Sequence, residues 1–235
     1  MILRLSSGHA LRAVLFDAGN TLVFLDYYRM AEGVGSALAL PLTGQRLAAG
    51  AAEAAVAMER SASSDQERAT AYMEALFRLG GVPAERMGEV RDCLRRMHSE
   101  RHLWCLVQDG THASLGRLKA AGLRLGIVSN SDGRVEQALS AAGLRQYFDV
   151  VIDSSLVGME KPDPAIFRAA LDALGVAPEE ALYVGDLYEV DVVGARAAGI
   201  EAVLLAPAGS DTGRGCRTAP SIHELVNDLL PGKTG

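Results

Sequence analysis

The chain has 235 residues, 49% of them apolar and 22% charged, and a net charge of −6. This is the balance of a soluble globular protein, long enough for a core domain and a smaller companion. Acidic charge without runs of one sign argues against nucleic acid as a partner, and no stretch approaches the ~18 apolar residues of a membrane span.

The first element is an apolar run, Ala13-Val14-Leu15-Phe16, that stops at Asp17 and opens into Ala18-Gly19-Asn20-Thr21. It reads as a buried strand over 12–17 with an acid at its C-terminal end, where an open α/β sheet places its chemistry. Residues 22–104 differ in texture and are rich in Ala, Leu, Glu, Arg and Met, which favour helix. The patterns over 47–60 and 65–79 predict long helices, and 84–102 a further helix or pair, set apart by Gly80-Gly81 and Pro83. No strand is expected in this stretch. Met58, Met73, Met87 and Met97 read as its core.

From residue 110 helices and strands alternate. Helices are predicted over 111–121, 133–142, 163–174, 190–198 and 221–230, and strands over 123–129, 148–153, 181–186 and 201–205. Gly122, Gly143, Gly175 and Gly199 stand just past helix ends. Asp163 and Pro164 supply an N-cap and a first helical residue. Residues 207–220 read as a loop. Regular alternation of this kind implies a parallel sheet covered by helices on both faces.

In such a sheet the C-terminal strand ends share one edge. That edge receives Asp17, Ser129-Asn130 and Gly185-Asp186, with Asp191 five residues on. Lys161 lies in a loop before a capped helix. Each alone is weak: a strand-end Asp is often a helix cap, and a Ser there is often a turn residue. Together they make a chemical set. Carboxylates with an open position suit Mg²⁺, so Asp17 and Asp186, with the carbonyl of Gly19, are the expected ligands. A free oxygen of Asp17 is then placed to attack phosphorus. Ser129, Lys161 and the amides after Asp17, at Asn20 and Thr21, are expected to hold phosphate oxygens.

These residues resemble the haloacid dehalogenase-like hydrolase superfamily, over essentially the whole chain. Phe16-Asp17-Ala18-Gly19-Asn20-Thr21-Leu22 looks like its first motif, Val128-Ser129-Asn130 its second and Glu160-Lys161-Pro162-Asp163-Pro164 its third. Gly185-Asp186 through Asp191 looks like its fourth. The resemblance implies a Rossmann-like core of strand order 5-4-1-2-3, here residues 1–21 and 106–235, with a helical cap inserted over 22–105. It makes Asp17 the nucleophile, Lys161 the charge-neutralising lysine, Ser129 and Asn130 substrate-binding, and Asp186 and Asp191 acids of a Mg²⁺ shell. The implied activity is hydrolysis of a small phosphorylated metabolite by a cytoplasmic monomer or homodimer. The scattered cysteines Cys93, Cys105 and Cys216 fit a reducing compartment.

One position departs from the pattern. Phosphatases of this family usually carry an acid two residues after the nucleophile, and here that residue is Gly19. A positioned acid–base group is worth about 10²–10⁴ in rate. Three readings follow: a slow phosphatase or one that borrows its acid, another chemistry such as dehalogenation, or a binder of a phosphorylated ligand or a partner. The retained acids Asp186 and Asp191 favour phosphorus chemistry over halide displacement. Residues 22–104 contain no lysine, which disfavours imine-dependent phosphonate cleavage. His98, His102 and His112 are candidate borrowed acids. Tyr27, Tyr28 and Arg29, just after the first motif, are candidate substrate contacts, and Tyr188 and Glu189 sit in the fourth-motif loop.

Overall fold

A computed structural model describes residues 3–61, 65–206 and 215–231. The chain forms two compact units, Met1–Phe24 with Cys105–Gly235, and Leu25–Trp104. The first strand, β1 (Ala13–Phe16), is followed at the first chain crossing by β2 (Phe24–Leu25). Then come α1 (Tyr27–Leu38), α2 (Gly44–Ser61), α3 (Asp65–Leu79) and α4 (Met87–Glu100). The return crossing carries β3 (Trp104–Leu106). The short β2 corrects the expectation of no strand in this part of the chain.

The inserted unit closes on its own apolar core. Leu25, Met30, Val34, Leu47, Leu76, Phe77 and Leu94 are buried together. Helix α1 comes close to α4 at Gly33, where a Cβ would sit 2.5 Å from the sulfur of Met97. Met87 is buried there and Met73 and Met97 pack against the cluster; the side chain of Met58 lies outside the described residues. Arg29 donates to the carbonyls of Met97 (2.8 Å), Arg101 (2.6 Å) and His102 (3.0 Å), at and just past the end of α4. Arg29 is therefore a brace for the end of α4, not the substrate contact expected of it. Tyr27 shares a hydroxyl–hydroxyl hydrogen bond of 2.8 Å with Tyr72, and the exposed Tyr28 covers Gly44.

The remaining elements build the core unit: α5 (Thr111–Ala120), β4 (Arg124–Ser129), α6 (Val135–Ala141), β5 (Val150–Asp153) and α7 (Ser154–Val157). They continue with α8 (Pro164–Leu174), β6 (Ala181–Gly185), α9 (Val193–Ala197), β7 (Glu201–Leu205), β8 (Arg217–Ala219) and α10 (Ile222–Leu229). The sheet runs β5-β4-β1-β6-β7-β8 and its paired strands are parallel. Strand β1 lies inside it, Ala13 aligning with Arg124 on one side and Ala181 on the other. All four residues of β1 are buried, which is why the run is continuously apolar. Gly126 of β4 is needed beside it: a Cβ there would come within 2.7 Å of Leu15 and 2.8 Å of Val150.

Two local readings change. Residues 207–220 do not form one loop: β8 pairs with β7, while 207–214 lie outside the described residues. The helix expected from 190 begins instead as a π-helical turn, Tyr188–Val192, before α9. Wide turns of this kind concentrate at functional sites, and this one carries Asp191.

Candidate active site

The turn after β1 is fixed by its backbone. Ala18 O accepts from the amides of Leu22 and Val23, both at 2.9 Å, and Asn20 donates its amide to Val23 O at 2.8 Å. Asn20 takes the left-handed conformation of the turn, with φ 53°, a region that asparagine tolerates better than most residues. Its backbone amide is thus spent inside the turn. The Thr21 side chain is 2% exposed and its hydroxyl has no partner among the described residues, so any substrate contact from Thr21 falls to the backbone.

Asp17, Lys161 and Asp191 are brought together in the interior, at 7%, 2% and 1% exposure. Lys161 Nζ donates to Asp17 Oδ1 at 2.6 Å and to Asp191 Oδ1 at 2.8 Å. Asp191 Oδ2 accepts from the amide of Leu187 at 2.9 Å. Both oxygens of Asp191 are therefore engaged, and the side chain holds the lysine. Gly185 makes room for it, since a Cβ there would lie 2.4 Å from Asp191 Cγ.

Asn130 also holds the lysine. Its side chain donates to Lys161 O at 3.0 Å and accepts from Lys161 N at 2.8 Å. That pairing makes Asn130 a positioning group for Lys161. Ser129 is buried at the end of β4, in register with Asp153 of β5. Asp153, which the sequence did not single out, pins the loop after Ser129. Its carboxylate accepts from the amides of Gly133 and Ser155, each at 3.0 Å, and of Val135 at 3.2 Å. The Ser154 hydroxyl adds a contact to the Ser131 amide at 3.0 Å.

Charge explains the electrostatics. Asp17, Asp186 and Asp191 face one ammonium, Lys161. Burial raises the Asp17 carboxyl from 3.8 to about 6; Lys161 opposes the rise and Asp191 adds to it. Burial, then the charges of Asp17 and Asp191, hold Asp186 well above the usual carboxylate range. Burial disfavours the Lys161 ammonium, but Asp17 and Asp191 outweigh it and keep the lysine charged. An excess of carboxylate at a strand edge, with Asp186 half-buried, is the donor chemistry that suits a hard divalent cation. The residues present therefore fit Mg²⁺, with Asp17 and Asp186 as side-chain donors.

The histidine candidates have other partners. His98 Nδ1 accepts from the Leu103 amide at 3.2 Å, and His102 Nδ1 lies 3.2 Å from Trp104 O. His112 Nδ1 lies 3.4 Å from the Tyr147 hydroxyl. Tyr188 packs against the apolar core of the sheet, and Glu189 is exposed.

A parallel α/β sheet with acids at the carboxyl ends of its strands defines the class of open α/β proteins that place their ligand sites there. A model of haloacid dehalogenase-like hydrolases matches residues 11–199, and the chain belongs to that family. It is 44% identical over 158 residues to mouse haloacid dehalogenase-like hydrolase domain-containing protein 3, covering 66% of this chain and 62% of that protein. It is 42% identical over 137 residues to a phosphoserine phosphatase of Thermus thermophilus, covering 58% of this chain and 53% of the other. The matched stretch thus spans under two thirds of each relative. Among solved structures, the magnesium-bound putative hydrolase YfnB of Bacillus subtilis is similar in fold, with a TM-score of 0.71 and 21% identity over 94% of this chain and 99% of that one.

Proposed function

We propose that the chain is a Mg²⁺-dependent phosphatase of small phosphorylated metabolites, acting from the cytoplasm through an aspartyl-phosphate at Asp17. The observation that carries this reading is the ion pair of Lys161 with the buried Asp17, at 2.6 Å, beside two further acids. The similarity to a phosphoserine phosphatase supports it. Asp17 attacks phosphorus and the ester P–O bond breaks; the leaving oxygen takes a proton from water, giving an alcohol and an acyl phosphate. Water then cleaves the acyl phosphate, returning Asp17 and releasing inorganic phosphate. Ser129 holds phosphoryl oxygens as their charge develops, and the Lys161 ammonium beside Asp17 neutralises charge at the site. When bound by Asp17, Asp186 and the Gly19 carbonyl, Mg²⁺ offsets the repulsion between carboxylate and phosphoryl group. The helical unit Leu25–Trp104 serves as a cap that selects the substrate. The three cysteines are free, which suits a reducing compartment.

The direct test is a panel of small phosphate esters and an aryl phosphate, assayed with Mg²⁺ and with EDTA. Turnover that needs Mg²⁺ and stops with EDTA is the expected result. Metal-independent release of chloride from a 2-haloacid would replace the reading with dehalogenation. Tight binding of one ligand with no turnover would replace it with a binding role.

Gly19 favours a slow variant of this chemistry, because glycine cannot protonate the leaving oxygen. Gly19→Asp should then raise kcat by roughly 10²-fold, the lower end of what a positioned acid–base group supplies. Steady-state kinetics on an ester with a poor leaving group measures this. An unchanged rate would mean that another group already moves the proton.

A further inference from the structure

The Tyr183 hydroxyl has no part in the steps above. Tyr183 is fully buried in β6, and its ring stands edge-on to Phe167 at a centroid distance of 4.9 Å. Phenylalanine would serve that packing as well, so the hydroxyl needs its own explanation. It lies 3.1 Å from Lys161 Nζ, 3.0 Å from Asp191 Oδ1 and 3.2 Å from Val128 O.

An ammonium has three hydrogens to give. Those of Lys161 go to Asp17 Oδ1, Asp191 Oδ1 and the Tyr183 hydroxyl, so its orientation is determined. Tyr183 is the neutral acceptor of the three, and its own hydrogen goes to Asp191 or to Val128 O. Val128 immediately precedes Ser129 in β4, while β4 and β6 flank β1 on opposite sides. The phenol therefore reaches past β1 and links the lysine to the strand end that carries Ser129.

We infer that Tyr183 is a positioning residue whose hydroxyl aims the Lys161 ammonium at Asp17 and ties it to the Val128–Ser129 strand end. Its kinetic consequence rests on the phosphatase reading; the placement of the ammonium does not. The chain has only three lysines, Lys119, Lys161 and Lys233, so ¹⁵N-lysine labelling yields a readable set of ammonium signals. Lys161 should give one protected from hydrogen exchange. In Tyr183→Phe that exchange should quicken at least about tenfold. With the fold retained by circular dichroism, kcat should fall by roughly tenfold, the size of one hydrogen bond to a charged group, and KM should stay within about twofold.

An unaltered Lys161 signal in Tyr183→Phe would overturn the proposal, and so would faster exchange with an unchanged kcat. If that variant does not fold, Asp17→Asn decides. It leaves Tyr183 and Asp191 in place, so the Lys161 signal should remain protected, and loss of protection would refute the inference. Absence of turnover in the wild type would defeat the phosphatase reading alone, since the exchange measurement still reports whether Tyr183 holds the lysine.

Discussion

Asp17→Asn should abolish Mg²⁺-dependent hydrolysis while making the metal-free protein more stable at neutral pH. The kinetic loss should be on the order of 10⁴ to 10⁶, the scale on which removing a covalent nucleophile acts. A wild-type rate in the variant would refute the nucleophile assignment. The stability effect follows from the same carboxyl. Its value rises from 3.8 to about 6 on folding, so the folded protein holds the proton more tightly than the unfolded chain. Ionisation of Asp17 therefore opposes folding. No penalty exists below about pH 4; it grows as pH rises towards 6 and is complete above it, at about 3 kcal/mol. Asparagine cannot ionise. Thermal unfolding in EDTA should show the variant more stable at pH 7 by up to that amount, with the gap closing towards pH 4. The site thus trades stability for charge.

Lys161→Met should lose both activity and stability. Methionine fills a similar volume, but it leaves Asp17 and Asp191 buried without their cation, and Asp186 beside them. Breaking one partner out of a buried ion pair costs about 3–5 kcal/mol. Removing a charge aimed at the reacting phosphoryl group costs about 10²–10³ in rate. The sign of the pH effect is defined. With the ammonium gone the carboxyls bind protons more tightly in the folded state than in the unfolded chain, so stability should recover as pH falls. Chemical denaturation between pH 5 and 8 checks this, and a variant as stable as wild type at pH 7 would show that the lysine does not carry that charge balance.

Much of this site could be read along the chain because its residues sit where the texture changes. Asp17 ends an apolar run, Ser129 ends another, and Asp186 follows the apolar Ala-Leu-Tyr-Val. What the chain does not display is the direction in which a side chain turns. That the π-helical turn brings Asp191 onto Lys161 and the Leu187 amide is visible only in the fold. So is the grip of the Asn130 side chain on the Lys161 backbone. Tyr183 does not stand out, because a tyrosine in a buried strand looks like any large apolar residue. The available signal was its hydroxyl, which must find partners when buried. Strand β8 escaped notice because Arg217-Thr218-Ala219 is too short and too polar to show a period.

The place of β1 in the sheet has a bearing on synthesis. Its partners, β4 and β6, are encoded more than a hundred residues downstream of it. A growing chain therefore exposes Ala13–Phe16, an apolar strand without neighbours, throughout translation of the helical unit. That unit has mostly local contacts and its own core, and can condense first. The strand that ends at Asp17 has both of its partners only once β6 has been made. Truncated products that end before β6 would carry an unsealed sheet edge, the kind of surface that recruits chaperones or aggregates.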